Sequence, residues 1–168
     1  MPVSSAANSN SFQVTTPGEH AIVLTRLFDA PRAQVFEVLT RPEHIKHWWG
    51  NLGPGYSVPV CEADLRVGGK WRYSNQTPSG ELATFYGVYH EITPVSRLVY
   101  TEIFEPFPDV ESMVTTELTE EDGKTRMTVT AVYPSKDVRD GVLSTGMERG
   151  AALSYDRLEE LAIALANG

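Results

Sequence analysis

Hydrophobic and polar positions along the chain follow two different grammars. From His20 to Phe28 (HAIVLTRLF) β-branched and apolar residues run almost unbroken to Asp29-Ala30-Pro31, which predicts a strand ending where a helix begins. Asp29 is the expected N-cap, and Pro31 falls in the first turn, where its missing N–H costs nothing. Val35, Phe36, Val38 and Leu39 then recur at helical spacing as far as Thr40. Arg41-Pro42 breaks this helix, and Glu43 to Trp49 (EHIKHWW) predicts a second brief one ending at Gly50.

From Tyr56 onward the pattern is that of strands separated by turn residues. Tyr56 to Leu65 and Lys70 to Gln76 flank Gly68-Gly69, and Thr77-Pro78-Ser79-Gly80 closes the second of them. Leu82 to Ile92 and Arg97 to Glu105 flank Thr93-Pro94-Val95-Ser96. Ser112 to Leu118 and Thr125 to Tyr133 form a last hairpin across Glu120-Glu121-Asp122-Gly123-Lys124. Between about Lys136 and Ala166, Leu143, Met147, Ala151, Ser154, Leu158, Leu161 and Leu165 recur every three or four residues, which predicts one long helix with Glu148, Arg149, Asp156, Arg157 and Glu159 mostly off its apolar stripe. An antiparallel sheet must cover its hydrophobic face, and this helix is the only long amphipathic element able to do so. The expected architecture is α+β: a curved antiparallel sheet of about seven strands wrapped around a C-terminal helix, with two short helices after the first strand, a helix-grip fold that tends to leave a cavity inside.

Length adds that 168 residues make one domain, 19–168, large enough for a core without disulfides or structural metal. Met1 to Gly18 has no Lys or Arg and no long apolar run, so it reads as a disordered tail rather than a targeting sequence. The charge balance is 14 Lys and Arg against 22 Asp and Glu, net −8, which argues against nucleic acid as a partner. No segment is apolar for long enough to span a membrane, and the single cysteine, Cys61, suits a reducing compartment, so a cytoplasmic location is expected. A homodimer stays open.

Several separated motifs occur in a familiar order: Phe28-Asp29-Ala30-Pro31 leading to Val35-Phe36, Trp48-Trp49-Gly50, Asp64-Leu65-Arg66-Val67-Gly68-Gly69-Lys70-Trp71, and Gly146-Met147-Glu148-Arg149-Gly150 with Asp156-Arg157-Leu158. Together they resemble the SRPBCC superfamily, in particular the branch named after the C-terminal domain of the activator of the heat-shock-protein-90 ATPase, over about Glu19 to Ala166. The resemblance implies the helix-grip fold. For function it implies a range: binding of lipids, steroids or polyketides, cyclisation or hydrolysis of small molecules, or a chaperone-interacting module. Where that branch often has an aromatic residue after Gly150, this chain has Ala151, which implies a larger space between sheet and helix, with Tyr155 one turn on refilling part of it.

The candidate chemistry is sparse. His44-x-x-His47 lacks a third ligand at a defined spacing, Cys61 has no activating base beside it, and neither a serine-hydrolase elbow nor a complete phosphate loop is present, so no metal and no cofactor is expected. What remains is an aromatic-rich set. The expected lining of a ligand cavity is Trp48, Trp71, Tyr73, Tyr86, Tyr100, Glu102, Met147, Ala151 and Tyr155, holding a small hydrophobic or aromatic molecule. Trp48 and Trp49 are adjacent on a helix, so one should point inward while the other is exposed or shapes the cavity mouth. In Leu98 to Phe104 both strand registers are open; if Glu102 faces inward, burial raises its pKa and suits it to act as a general base or hydrogen-bond acceptor. His90 poses the same question on its strand, and an enzyme reading would use one of these two as the base.

Overall fold

The computed structural model describes residues 11–168. The chain order is β1 (Gln13–Thr15), β2 (Ala21–Phe28), α1 (Arg32–Thr40), α2 (Pro42–Trp48), β3 (Ser57–Ala63), β4 (Lys70–Gln76), β5 (Leu82–Thr93), β6 (Arg97–Phe104), β7 (Glu111–Glu121), β8 (Lys124–Val132), α3 (Lys136–Ser144) and α4 (Met147–Asn167). All eight strands form one antiparallel sheet in the order β1-β2-β8-β7-β6-β5-β4-β3. The helices cover its inner face, which makes the architecture the expected α+β helix grip. No described helix is long and apolar enough to cross a membrane.

Three expectations are corrected. The first concerns the tail, whose residues 1–10 lie outside the described residues: Gln13–Thr15 is an eighth strand, with Val14 opposite Leu24. Phe12 and Val14 pack on the cluster of Ile22, Leu24 and Tyr133, and the Ser11 hydroxyl accepts the Leu27 N–H at 3.0 Å, so local apolar alternation fastens this stretch to the sheet. The second concerns the start of α1, where Pro31, not Asp29, occupies the N-cap and no side chain caps the helix. The Asp29 N–H is drawn elsewhere, donating to Glu159 Oε2 at 2.8 Å.

The third concerns the C-terminal helix, which is two helices. Ser135 caps α3 by accepting the Val138 N–H, and the run stops at Thr145-Gly146, with Gly146 at φ 78°. A left-handed residue ends a helix, and glycine adopts it without steric penalty. After the break α4 buries Ser154, Leu158, Glu159 and Ala162. Glu159, expected off the apolar stripe, lies beneath it because Arg26 of β2 points up from the sheet to meet it.

The two short helices are locked to each other. Arg41, extended as the residue before a proline must be, separates them, and the Trp48 indole N–H donates to Val38 O at 2.9 Å, satisfying a carbonyl that the end of α1 leaves without a helical partner. The main core gathers Phe28, Val35, Phe36, Val38, Ile45, Trp48, Trp71, Tyr89, Leu98 and Leu158 among others, between the sheet and these helices.

Candidate functional site

The inner face of β6 carries Leu98, Tyr100, Glu102 and Phe104. Tyr100 pairs with Tyr89 and Phe104 with Phe85 across β5. Beyond Tyr89 the register slips by one residue, a β-bulge at His90, so that Ile92 rather than Glu91 returns to the core side opposite Leu98. Regular alternation along β6 turns Glu102 inward with Leu98 and Tyr100, and His90, at the bulge, is exposed on the outside, which removes it as an internal base.

Around Glu102 lies a cavity of about 70 Å³ lined by Leu39 of α1, Trp48 and Trp49 at the end of α2, Trp71 and Tyr73 of β4, Tyr89, Leu98, Tyr100 and Thr116. Its ceiling is the α1/α2 pair, not the long helix, which corrects the expected location. The rings brace one another: Trp49 meets Tyr73 at 5.4 Å and 63°, Trp71 lies 4.8 Å from Tyr73, and Trp71 meets Tyr100 edge to face at 5.6 Å. Trp48 is buried and Trp49 half-buried, so the second of the adjacent tryptophans forms the cavity's edge. The Trp71 indole N–H donates to Thr101 O at 3.2 Å, passing over Gly87. A Cβ on Gly87 would stand 1.8 Å from Thr101 O and 2.8 Å from the indole nitrogen, so only glycine allows this approach.

Burial pushes the Glu102 carboxyl up to about 7. No described residue forms an ion pair or hydrogen bond with it. The phenols of Tyr100, Tyr133 and Tyr155 are raised above their ordinary range, first by burial and then by the Glu102 charge, which places all three within its field. Burial and the neighbouring Tyr89 phenol push the Tyr73 hydroxyl upward. The wall is therefore mostly aromatic, with one carboxyl open to the space. Such an arrangement can hold a small guest and can give or take one proton near neutrality.

Of the nine expected lining residues, Trp48, Trp71, Tyr73, Tyr100 and Glu102 surround the cavity. Tyr155 reaches it only through its field on Glu102, its ring packing against Phe12 and Phe28. Met147 and Ala151 belong to the second cluster, over β2 and β8, so the small residue at 151 does not enlarge this space. Tyr86 faces outward, beneath the Arg72 guanidinium at 5.5 Å, because it sits one residue out of phase with Phe85 and Gly87. Sequence reasoning missed Leu39, Tyr89, Leu98 and Thr116. Tyr89, Leu98 and Thr116 had a signal, since each alternates with inward residues of its own strand, whereas Leu39 arrives through tertiary packing.

The other sequence candidates take structural roles. Burial pushes the Cys61 thiol up to about 11, and its Sγ lies 3.6 Å from Pro42 O, so it packs β3 against α2. His44 Nε2 lies 3.4 Å from Glu37 Oε2, and no group of three potential ligands among the described residues could hold a metal.

A helix-grip architecture with an internal aromatic cavity defines the class. The chain belongs to the family described as Activator of Hsp90 ATPase homolog 1-like protein, whose profile matches residues 29–162. Among solved structures, a Rhodobacter sphaeroides protein is similar at 23% identity and a TM-score of 0.82, covering 92% of this chain and 99% of its own. A Nitrosomonas europaea protein is similar at 25% identity and 0.77, covering 91% and 100%, and a Mycobacterium smegmatis protein at 26% and 0.76, covering 89% and 96%. What these proteins share with the chain is the SRPBCC fold over nearly its whole length. No curated protein matches the chain.

Proposed function

We propose that this protein binds a small hydrophobic or aromatic molecule in the cavity beneath α1 and α2, with Glu102 as the polar contact that orients it. The observation that carries this reading is one carboxyl, free of partners among the described residues, inside a wall of six aromatic rings. Ligand sites commonly combine an apolar lining with a few directed polar groups. At about 70 Å³ the closed space is well below the ~300 Å³ at which drug-sized ligands are enclosed. The part of the ligand that is held is therefore compact, and anything larger requires Trp49, at the edge, to move. A thermal-shift and tryptophan-fluorescence screen running from single-ring compounds to fatty acids, steroids and polyketides tests the reading. A chemically coherent set of binders that perturbs both signals is expected; a folded protein that responds to none of them overturns it.

The Glu102 carboxyl, raised to about 7, favours a second reading in which the same cavity performs a cyclase- or hydrolase-type step with Glu102 as acid or base. Glu102→Gln would then abolish turnover of a bound compound while leaving its binding in place. The family description supports a third, a chaperone-interacting module acting through the outer surface. It is tested by adding the protein to an Hsp90 ATPase assay, where stimulation that survives blocking of the cavity would favour it.

A further inference from the structure

Guest selection can be taken further on the premise that the cavity is the ligand site. We propose that the end of the guest held inside is a neutral primary alcohol, a hydroxymethyl group whose O–H meets the Glu102 carboxyl and whose carbon lies against the surrounding rings. Size, the balance of donors and acceptors, and charge converge on this class.

A cavity of ~150 Å³ is known to take the six carbons of benzene, so about 70 Å³ holds roughly three non-hydrogen atoms. That admits a C–C–O terminus and excludes a ring; the rest of a longer chain leaves past half-buried Trp49, at the edge. The Trp48 and Trp71 indoles spend their N–H groups on Val38 O and Thr101 O. Glu102 remains as a carboxyl without a hydrogen-bond or ion-pair partner among the described residues, beside the hydroxyls of Tyr73, Tyr89, Tyr100 and Thr116. A hydroxyl both donates and accepts, so an alcohol can donate to the carboxylate while accepting from a phenol.

Other termini of this size match less well. No Lys or Arg lines the cavity, so a carboxylate would face Glu102 with no cation between them. A primary ammonium has the right sign, but it carries three donors and no acceptor, and burying it among aromatic rings costs far more than burying a hydroxyl. An ether or alkyl end fills the space and leaves the carboxyl unpaired, which is itself costly. A carboxamide fills it with polar atoms alone, whereas a hydroxymethyl end sets its methylene against the rings. The alcohol supplies the missing donor without charge and with the least polar surface.

The test titrates probes that share a four-carbon frame and differ in their polar group: butan-1-ol, 1-methoxypropane, butanamide, butanoate and butylammonium. Tryptophan emission and calorimetry follow binding to the wild type and to Glu102→Leu at pH 7. Butan-1-ol should bind the wild type about tenfold or more tighter than the ether, which leaves the carboxyl unpaired, and tighter than the amide and both ions. Glu102→Leu should bind the alcohol and the ether alike. The wild-type order needs no variant, so the proposal stays testable if Glu102→Leu fails to fold. An ether, amide or ion that binds as tightly as the alcohol, or an alcohol preference unchanged in Glu102→Leu, overturns the alcohol proposal and leaves the cavity as a ligand site. The same holds if the five probes fail while the aromatic and lipid panel binds. Absence of response to the probes and the panel alike overturns both.

Discussion

Arg26 of β2 and Glu159 of α4 meet at 3.0 Å, and their side chains are 1% and 0% exposed. The pair is the centre of a network. Arg26 Nη1 also donates to Asp156 at 2.5 Å, the guanidinium lies 5.2 Å from the Phe28 ring, and the second Glu159 oxygen accepts the Asp29 N–H at the entrance to α1. One side chain of the long helix thus ties together the sheet, the helix and the loop that launches the cavity's ceiling.

Breaking such a pair on one side leaves a buried charge alone, which costs about 3–5 kcal/mol, whereas replacing both members with apolar residues is often near neutral. Arg26→Met, which strips the fully buried Glu159 of its cation, should therefore destabilise severely, and adding Glu159→Leu should regain most of the loss. Urea unfolding of the two single variants and the double variant checks this. An additive double variant would show that the pair is not coupled.

Stability should also carry the signature of Glu102. Its pKa rises from 4.5 in the unfolded chain to about 7 in the folded one, so between these values the native state holds the extra proton, and stability falls as pH rises through that window. The full penalty above pH 7 is on the order of 3 kcal/mol. Glu102→Gln should remove it, making the variant more stable than the wild type at pH 8 and about equal to it near pH 4. Parallel pH–stability curves for the two proteins would refute the burial of this carboxyl.

How much of this was legible beforehand depended on the range of the forces involved. The hairpins were readable because their turn residues are local, and the helix after Pro42 because a proline restricts the residue before it. The inward turn of Glu102 was not, since both faces of β6 carry apolar residues and only the packing of the sheet selects the face with Leu98 and Tyr100. Glu159 looked solvent-facing on the helix alone, and only the arginine on a distant strand makes its burial tolerable. The cavity's aromatic character was legible in Trp48, Trp71, Tyr73 and Tyr100. Its ceiling was not, because nothing local announces that Trp48 will bond to Val38 and draw α1 and α2 together over it.

Gly87 provides a sharper test of the cavity floor. The indole of Trp71 crosses it to reach Thr101 O, and a methyl group at 87 would stand 1.8 Å from that oxygen. Gly87→Ala must shift the β5–β6 ladder and displace the indole, with an expected cost of about 2 kcal/mol or more. Near-ultraviolet circular dichroism and tryptophan emission should change together with the loss of stability. A variant with native spectra and native stability would contradict the close approach.

Ala151 separates the two halves of the interior. It packs with Met147 and Leu143 over Ile22, Leu24 and Tyr133, away from the cavity residues, so an indole at this position has no large void to fill. Ala151→Trp should behave as overpacking, losing about 1–3 kcal/mol. Its ligand affinity at the Glu102 cavity should stay within a few-fold of the wild type, because Ala151 does not reach the lining. Leu98→Phe, placed on the lining itself, should reduce affinity at a comparable cost in stability. Calorimetric titration of both variants with one cavity ligand, alongside thermal unfolding, distinguishes the two positions. Loss of binding in Ala151→Trp with unchanged stability would move the site beneath the long helix after all.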